Sequence, residues 1–214
     1  VLSVSRRLSS LIKDIIDLEK IKRNELRVHP VPTDIRSAAH VVLDVLRHLN
    51  DGKDVEIAVE IPEGLPPVVA DEDRLIQVLF NLLGNALKFT ERGKVTLSAR
   101  EVDDAVEVSV EDTGIGMTSE QLFHAFSQGG KEISEHYGGS GLGLFISRQL
   151  LERMNGTLQL KWSEPGKGTH FAFTLPKSSR PAVQHAQHAG AVQEETAAAE
   201  AAASGTFSSG FTIL

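Results

Sequence analysis

An α/β fold is what the sequence predicts, on three observations. Short segments alternate apolar and polar residues as half-buried strands do. Between them lie stretches whose apolar residues recur at helical spacing, and a glycine-rich run opens one of these. A longer helix with a heptad seam comes before them all.

That opening helix is read over the first 26 residues. Val1, Val4, Leu8, Leu11, Ile15 and Leu18 are spaced 3, 4, 3, 4, 3, and Ile12 and Ile16 widen the stripe. Arg6, Arg7, Lys13, Asp14 and Lys20 supply solvated positions. Such a stripe suits a surface helix on its own domain, or a helix that packs in a bundle with another segment; the strict seam favours the bundle. Pro30 and Pro32 break the pattern, and Thr33 or Asp34 can cap a second amphipathic helix running to about Leu49. After the Asp51-Gly52 turn, Val55, Ile57, Val59 and Ile61 alternate as a strand, closed by Pro62, Pro66 and Pro67. Asp71 caps a third helix with Leu75, Val78, Leu79, Leu82 and Leu83 on its apolar face, ending near Phe89. Two strands, about 94–102 and 105–112, form a hairpin through Asp103-Asp104. A short helix over about 118–126, a glycine-rich stretch from Ser127 to Gly143, a helix from about Leu142 to Met154 and a last hairpin (157–163, 169–175) complete the order.

Composition sets outer limits. With 214 residues, 41% of them apolar, the chain holds one ordinary domain plus appendages. Its net charge of −7 argues against a nucleic-acid partner, which needs a basic face. Having no cysteine, it forms no disulfide or thiolate zinc site, and this fits a reducing, cytoplasmic setting. No apolar run approaches the roughly 20 residues that span a bilayer, so membrane contact by this piece is not expected. The start, without Met, reads as a cut from something larger whose anchor or sensor would lie upstream. Three regions follow: 1–27, the helix; 28–176, the α/β domain; and 177–214, a tail in which ten of 38 residues are alanine and no apolar period survives.

Four segments carry candidate chemistry. On the third helix Asn81, Asn85 and Lys88 stand at i, i+4 and i+7, on one face, ahead of Phe89 and Thr90. Amide oxygens there can ligate Mg²⁺ and the lysine can pair with phosphate, although a polar helix face alone is commonly just solvated. Asp112-Thr-Gly114-Ile-Gly116-Met117 follows a strand, placing a carboxylate beside backbone that a ligand can approach; turns use the same residues. Phe123-His-Ala-Phe126 reads by itself as core packing. Gly138-Gly139-Ser140-Gly141-Leu142-Gly143-Leu144 opens a helix, whose free N–H groups and positive dipole end suit a triphosphate. Neither the Walker pattern nor the dinucleotide fingerprint is completed, since no Gly-Lys-Ser/Thr follows and the position three beyond Gly141 is Leu144.

In this order and spacing the segments resemble the catalytic domain of sensor histidine kinases, in the superfamily that includes DNA gyrase, the mismatch-repair ATPase and a heat-shock chaperone. The resemblance covers about residues 28–176, with Gly166-Lys-Gly168-Thr169 similar to the family's last glycine box. The opening helix resembles the second helix of the dimerisation and phosphotransfer bundle. The resemblance implies a two-layer sandwich, a mixed sheet against three helices, with ATP between the helices and a lid over about Ser127–Ser140. It implies that Asn85 ligates Mg²⁺ with Asn81 nearby, that Lys88 meets the phosphates and that Asp112 accepts from the adenine amino group. Gly116 would give room for the base, Gly114 and Phe89 would line the site, and Phe123 and Phe126 would anchor the lid. Gly139, Ser140, Gly141, Leu142 and Gly143 would lie along the phosphates, and Thr169 would support water at the adenine.

The activity so implied is transfer of the ATP γ-phosphoryl to a histidine, then onward to a response regulator, by a homodimer joined through the bundle helix. The superfamily's hydrolases carry a glutamate at the position of Asn81, and an amide cannot be that general base. The family's acceptor histidine is usually followed by an acidic residue. Here the eight histidines precede Pro30, Val41, Leu49, Ala125, Tyr137, Phe171, Ala186 and Ala189, so the acceptor is expected outside this sequence. A catalytically silent nucleotide-binding module and a superfamily ATPase are the alternatives.

Overall fold

A computed structural model describes residues 12, 15–49, 53–117 and 142–182. Helical residues 15–22 form α1. They are followed by β1 (Val31–Thr33), α2 (Ile35–Leu49), β2 (Asp54–Glu60), β3 (Val68–Ala70) and α3 (Glu72–Phe89). Then come β4 (Arg92–Val102), β5 (Ala105–Asp112), α4 (Leu142–Arg153), β6 (Thr157–Glu164) and β7 (Gly168–Pro176). The five-stranded sheet has the order β2-β4-β5-β7-β6, with β2 parallel to β4 and every other pair antiparallel. It is the mixed sheet expected.

Period-two patterning decides which face meets the helices. Val95, Leu97 and Ala99 of β4, Val106, Val108 and Val110 of β5, and Phe171, Phe173 and Leu175 of β7 are all buried. Against them α3 sets Leu75, Val78, Leu79, Leu82, Leu83, Ala86 and Leu87, with α2 and α4 on either side of it. Each fully buried leucine is worth about 1.5–3 kcal/mol over exposure, so this layer dominates the stability. The other sheet face is polar. There Glu107 is buried between Lys161 Nζ at 2.8 Å and Arg100 Nη2 at 2.6 Å, and those two cations hold its carboxyl below the usual range, Lys161 foremost.

Local signals place the helix ends. Asp71 caps α3, its carboxylate accepting from Arg74 N at 3.2 Å, and Asp34 caps α2 by accepting from Arg36 N at 2.9 Å. The β4–β5 turn runs through Asp103 at φ 51°, a conformation aspartate tolerates.

One expectation needs correction, and two features add to the others. The opening helix ends at residue 22, not 26. Asn24 adopts φ 56°, Glu25 N donates back to Lys20 O at 2.8 Å and Asn24 N to Ile21 O at 3.0 Å, a Schellman stop. The same device, with Asn155 at φ 58°, ends α4. The prolines at 30–32 and 66–67 do not only break structure, because β1 and β3 pair antiparallel from Val31↔Ala70 to Thr33↔Val68. Finally, β6 carries a bulge at Lys161, which turns that lysine toward Glu107.

The helix 15–22 shows how the described end of the opening stripe is seated. Asp17 is buried on α3, where Arg74 Nη1 reaches its two oxygens at 3.2 and 3.3 Å and Gln77 Nε2 donates at 3.0 Å. Ile21 packs on the core beside it. At about 100° per residue Ile12, Ile15 and Ile16 fall on the opposite side, and all three are about half exposed. The helix is thus docked on one face and open on the other. Leu11 and the seam before it, the short helix 118–126, the lid and the tail from 183 lie outside the described residues.

Candidate functional site

The site is built where α3, the loop after β5, the β6–β7 turn and the start of α4 meet. Asp112 ends β5 opposite Thr169, the second residue of β7, and both are buried. Gly114 N donates to Asp112 Oδ1 at 2.9 Å, bending the loop back onto its own strand end. Burial pushes the Asp112 carboxyl up from its ordinary value; the N–H groups of Gly114 and Thr169 oppose this, and Glu111 adds to it. A carboxylate held in a poorly solvated pocket, with acceptor capacity left over, is suited to reading an N–H donor.

The loop 113–117 is fastened on both sides. Thr113 N donates to Lys94 O at 3.0 Å, Ile115 N to Phe89 O at 3.1 Å, and Gly166 N to Ile115 O at 2.7 Å. Met117 N reaches Ser163 Oγ at 2.9 Å, and that hydroxyl also contacts Thr169 Oγ1 at 3.0 Å. Gly114 has to be glycine because a Cβ there would stand 2.3 Å from Phe89 O. Gly116, at φ 65°, would put a Cβ 2.0 Å from Glu164 O. The turn between β6 and β7 therefore already demands both the backbone shape and the missing side chain at 116, before any ligand is considered.

Asn81, Asn85 and Lys88 stand along one face of α3, continuing the row of Arg74 and Gln77 that holds Asp17. Asn85 is half-buried. Lys88 is exposed with its ammonium 4.8 Å from the centroid of the half-buried Phe89 ring. Asn81 bridges to α4: its Nδ2 donates to Ser147 Oγ at 3.2 Å and to Gly143 O at 3.4 Å. Leu142 and Gly143 open α4, and a Cβ at 143 would touch the Asn81 amide carbon at 3.4 Å.

Among the sequence-predicted residues, then, Asp112, Gly114, Gly116, Phe89 and Thr169 share one corner, and Asn81 joins Leu142 and Gly143 across α3 and α4. Phe126, Gly139, Ser140 and Gly141 lie outside the described residues. Sequence reasoning passed over Ser163 and Ser147. For Ser147 there was a signal, a hydroxyl in the apolar row it shares with Leu150 and Leu151. Among the described residues no cluster of three His, Cys, Asp or Glu could hold a metal, so a cation here would rest on amide oxygens and on the ligand.

A two-layer α/β sandwich with a buried acceptor at one strand end and amides facing a glycine-rich helix start defines a nucleotide-binding class. Comparison with known proteins narrows it. Residues 70–179 match the family described as histidine kinase-, DNA gyrase B-, and HSP90-like ATPase, and the chain belongs to that family. It is 35% identical over 182 residues to the signal transduction histidine-protein kinase BarA of Escherichia coli K12, and 36% identical to the sensor protein GacS of Pseudomonas syringae. The match covers 80% of this chain in both cases, and the chain spans about a fifth of the length of these relatives, 20% of each. Among solved structures, full-length ShkA in complex with AMPPNP superposes with a TM-score of 0.69 at 34% identity, over 82% of this chain and 37% of that one. The catalytic domain of the histidine kinase ThkA gives 0.62 at 25% identity, over 70% of this chain and 97% of that one.

Proposed function

We propose that this chain is the ATP-binding catalytic domain of a two-component sensor histidine kinase, with the end of its dimerisation and phosphotransfer bundle as residues 1–27 and a linker or tail from 177. The observation that carries the reading is the buried Asp112 carboxylate, whose loop is fastened to Phe89 at the end of α3, the helix whose face bears Asn81, Asn85 and Lys88. BarA is named a signal transduction histidine-protein kinase and GacS a sensor protein, and the full-length ShkA structure is a complex with AMPPNP, which supports it.

In this reading Asp112 accepts the adenine amino hydrogens, and Thr169, tied to Ser163, orders water beside it. Gly114 and Gly116 keep the loop tight under the base, and Phe89 closes the edge. The triphosphate runs along α3 toward the start of α4, where the N–H groups of Leu142 and Gly143, with Gly139, Ser140 and Gly141, meet its charge. Lys88 pairs with phosphate oxygens. Asn81 fits a cation, because its nitrogen is occupied by α4 and its oxygen is left as a hard, neutral ligand; Asn85 supplies a second. Mg²⁺ held by Asn81 and Asn85 would supply positive charge to offset that of the phosphates. The protein's contribution is then positioning: it holds the γ-phosphorus in line with an incoming histidine nitrogen, so that the N–P bond forms as the bridging P–O bond breaks. Hydrolysis fits less well, since the carboxamide of Asn81 cannot take a proton from water.

Magnesium dependence separates this reading from general nucleotide binding. Asn85→Ala is expected to reduce phosphotransfer to an added acceptor bundle by roughly 1–3 kcal/mol of barrier while leaving metal-free ADP binding nearly unchanged. Equal losses in both assays would point to damage of α3 and count against the assignment.

A further inference from the structure

We propose that Ser147 is a positioning residue of the nucleotide site, which fixes the Asn81 amide so that its oxygen is the group offered to the ligand. The inference rests on the preceding reading, in which the phosphates and their cation lie over this face of α3. It assigns a role to a residue of α4 that would touch neither.

The geometry leaves the amide one orientation. A backbone carbonyl only accepts, so the edge of Asn81 that faces Gly143 O at 3.4 Å has to be the N–H₂ edge. Ser147 Oγ lies closer, at 3.2 Å, and accepts from the same nitrogen. Turning the amide over would set its oxygen against the Gly143 oxygen and force the buried Ser147 hydroxyl to switch from acceptor to donor, so the two acceptors together hold the N–H₂ edge toward α4. With Nδ2 committed to α4, Oδ1 accepts no hydrogen bond from the described residues. A carboxamide oxygen is what a hard cation or its water needs, and a carboxamide nitrogen in that place would repel it.

The position of Ser147 gives the contact a second consequence. The neighbouring inward residues of α4, Ile146, Leu150 and Leu151, are apolar and buried, so this hydroxyl is the polar group that the inner face of the helix directs at α3. Because α4 starts immediately after the glycine-rich run, the orientation of Asn81 depends on where the first two turns of α4 stand. The close approach is also steric, since a Cβ added at Gly143 would stand 3.4 Å from the amide carbon.

The test is a double-mutant cycle on the whole chain. Ser147→Ala removes the acceptor, and Ser147→Cys keeps the volume while weakening it, which guards against a cavity effect. For each, thermal melting, ADP affinity in EDTA, ADP affinity with Mg²⁺ and phosphotransfer to an added acceptor bundle are measured. Both variants should bind ADP in EDTA as the parent does, yet lose about tenfold of the gain that Mg²⁺ brings and about tenfold in phosphotransfer rate. In an Asn81→Ala background Ser147→Ala should cause no further loss, because Ser147 has nothing left to orient. Undiminished Mg²⁺ enhancement in both variants overturns the proposal, as does an equal loss with and without Asn81. If Asn81→Ala is itself harmless, or the parent chain fails to bind ADP, the reading of the site falls and this inference with it.

Discussion

At the scale of the residue, Asp112 shows a conflict between stability and recognition. Burial raises its carboxyl above the ordinary range, so the folded protein binds that proton more tightly than the unfolded chain does. The stability tied to this group is fully present below the unfolded value of about 3.9 and is lost as pH rises through the raised folded value. At neutral pH the charged side chain therefore opposes folding. Asp112→Asn should raise the melting temperature of the ligand-free protein at pH 7, and the gain should vanish near pH 3, where both side chains are neutral. The same change should weaken ATP and ADP alike, by roughly 1–3 kcal/mol, because a charged acceptor has been lost from a pocket. Calorimetry and melting read together decide this: unaltered affinity would remove Asp112 from the site, and a lower melting temperature would mean that its bond from Gly114 outweighs its desolvation. Sequence alone made Asp112 legible because a carboxylate, two glycines and a strand end coincide there. Ser147 was not legible in the same way, since the partner that gives its hydroxyl meaning is 66 residues away on α3.

At the scale of the element, α3 does two jobs along one face. Arg74 and Gln77 hold α1 through Asp17, and Asn81, Asn85 and Lys88 follow on the next turns. Arg74→Ala would strand the nearly buried Asp17 carboxylate, and breaking one side of a buried pair typically costs about 3–5 kcal/mol. Helix 15–22 can escape that penalty by lifting off, whereas β4 and β5 cannot. The expected result is faster amide exchange across 15–22 with protection in β4 and β5 retained; simultaneous loss in all three would show that the helix is an integral part of the sandwich. Apolar periodicity found α2, α3, α4 and the five long strands, because α2, α3, α4, β4, β5 and β7 bury a continuous face and β2 and β6 still alternate apolar with exposed polar residues. It missed the β1–β3 pair, whose three-residue strands are too short for a period and include Pro32. It overran the end of α1 because no Gly or Pro interrupts the chain there: Leu26 does join the core, but from the segment after the Schellman turn.

At the scale of the whole molecule, the two-sided helix bears on assembly. Docking through Asp17 and Ile21 leaves Ile12, Ile15 and Ile16 in one exposed apolar row, so a helix seated on its own domain can still meet a second chain. Isolated exposed apolar residues are ordinary on protein surfaces, but Ile15 on the heptad seam flanked by Ile12 and Ile16 matches what a bundle interface requires. The area they offer is small, and association through them should be correspondingly weak. A monomer–dimer equilibrium that shifts with concentration is therefore expected, not an obligate dimer. Changing Ile12 and Ile15 to Asp should abolish association while leaving both ADP affinity and the Asp17–Arg74 contact in place, because those groups lie on the opposite side of the helix. Sedimentation velocity over a wide concentration range, with ADP calorimetry on the same samples, measures both halves. A dimer that persists through the two changes would place the interface on the sandwich and deny the exposed row a part in pairing.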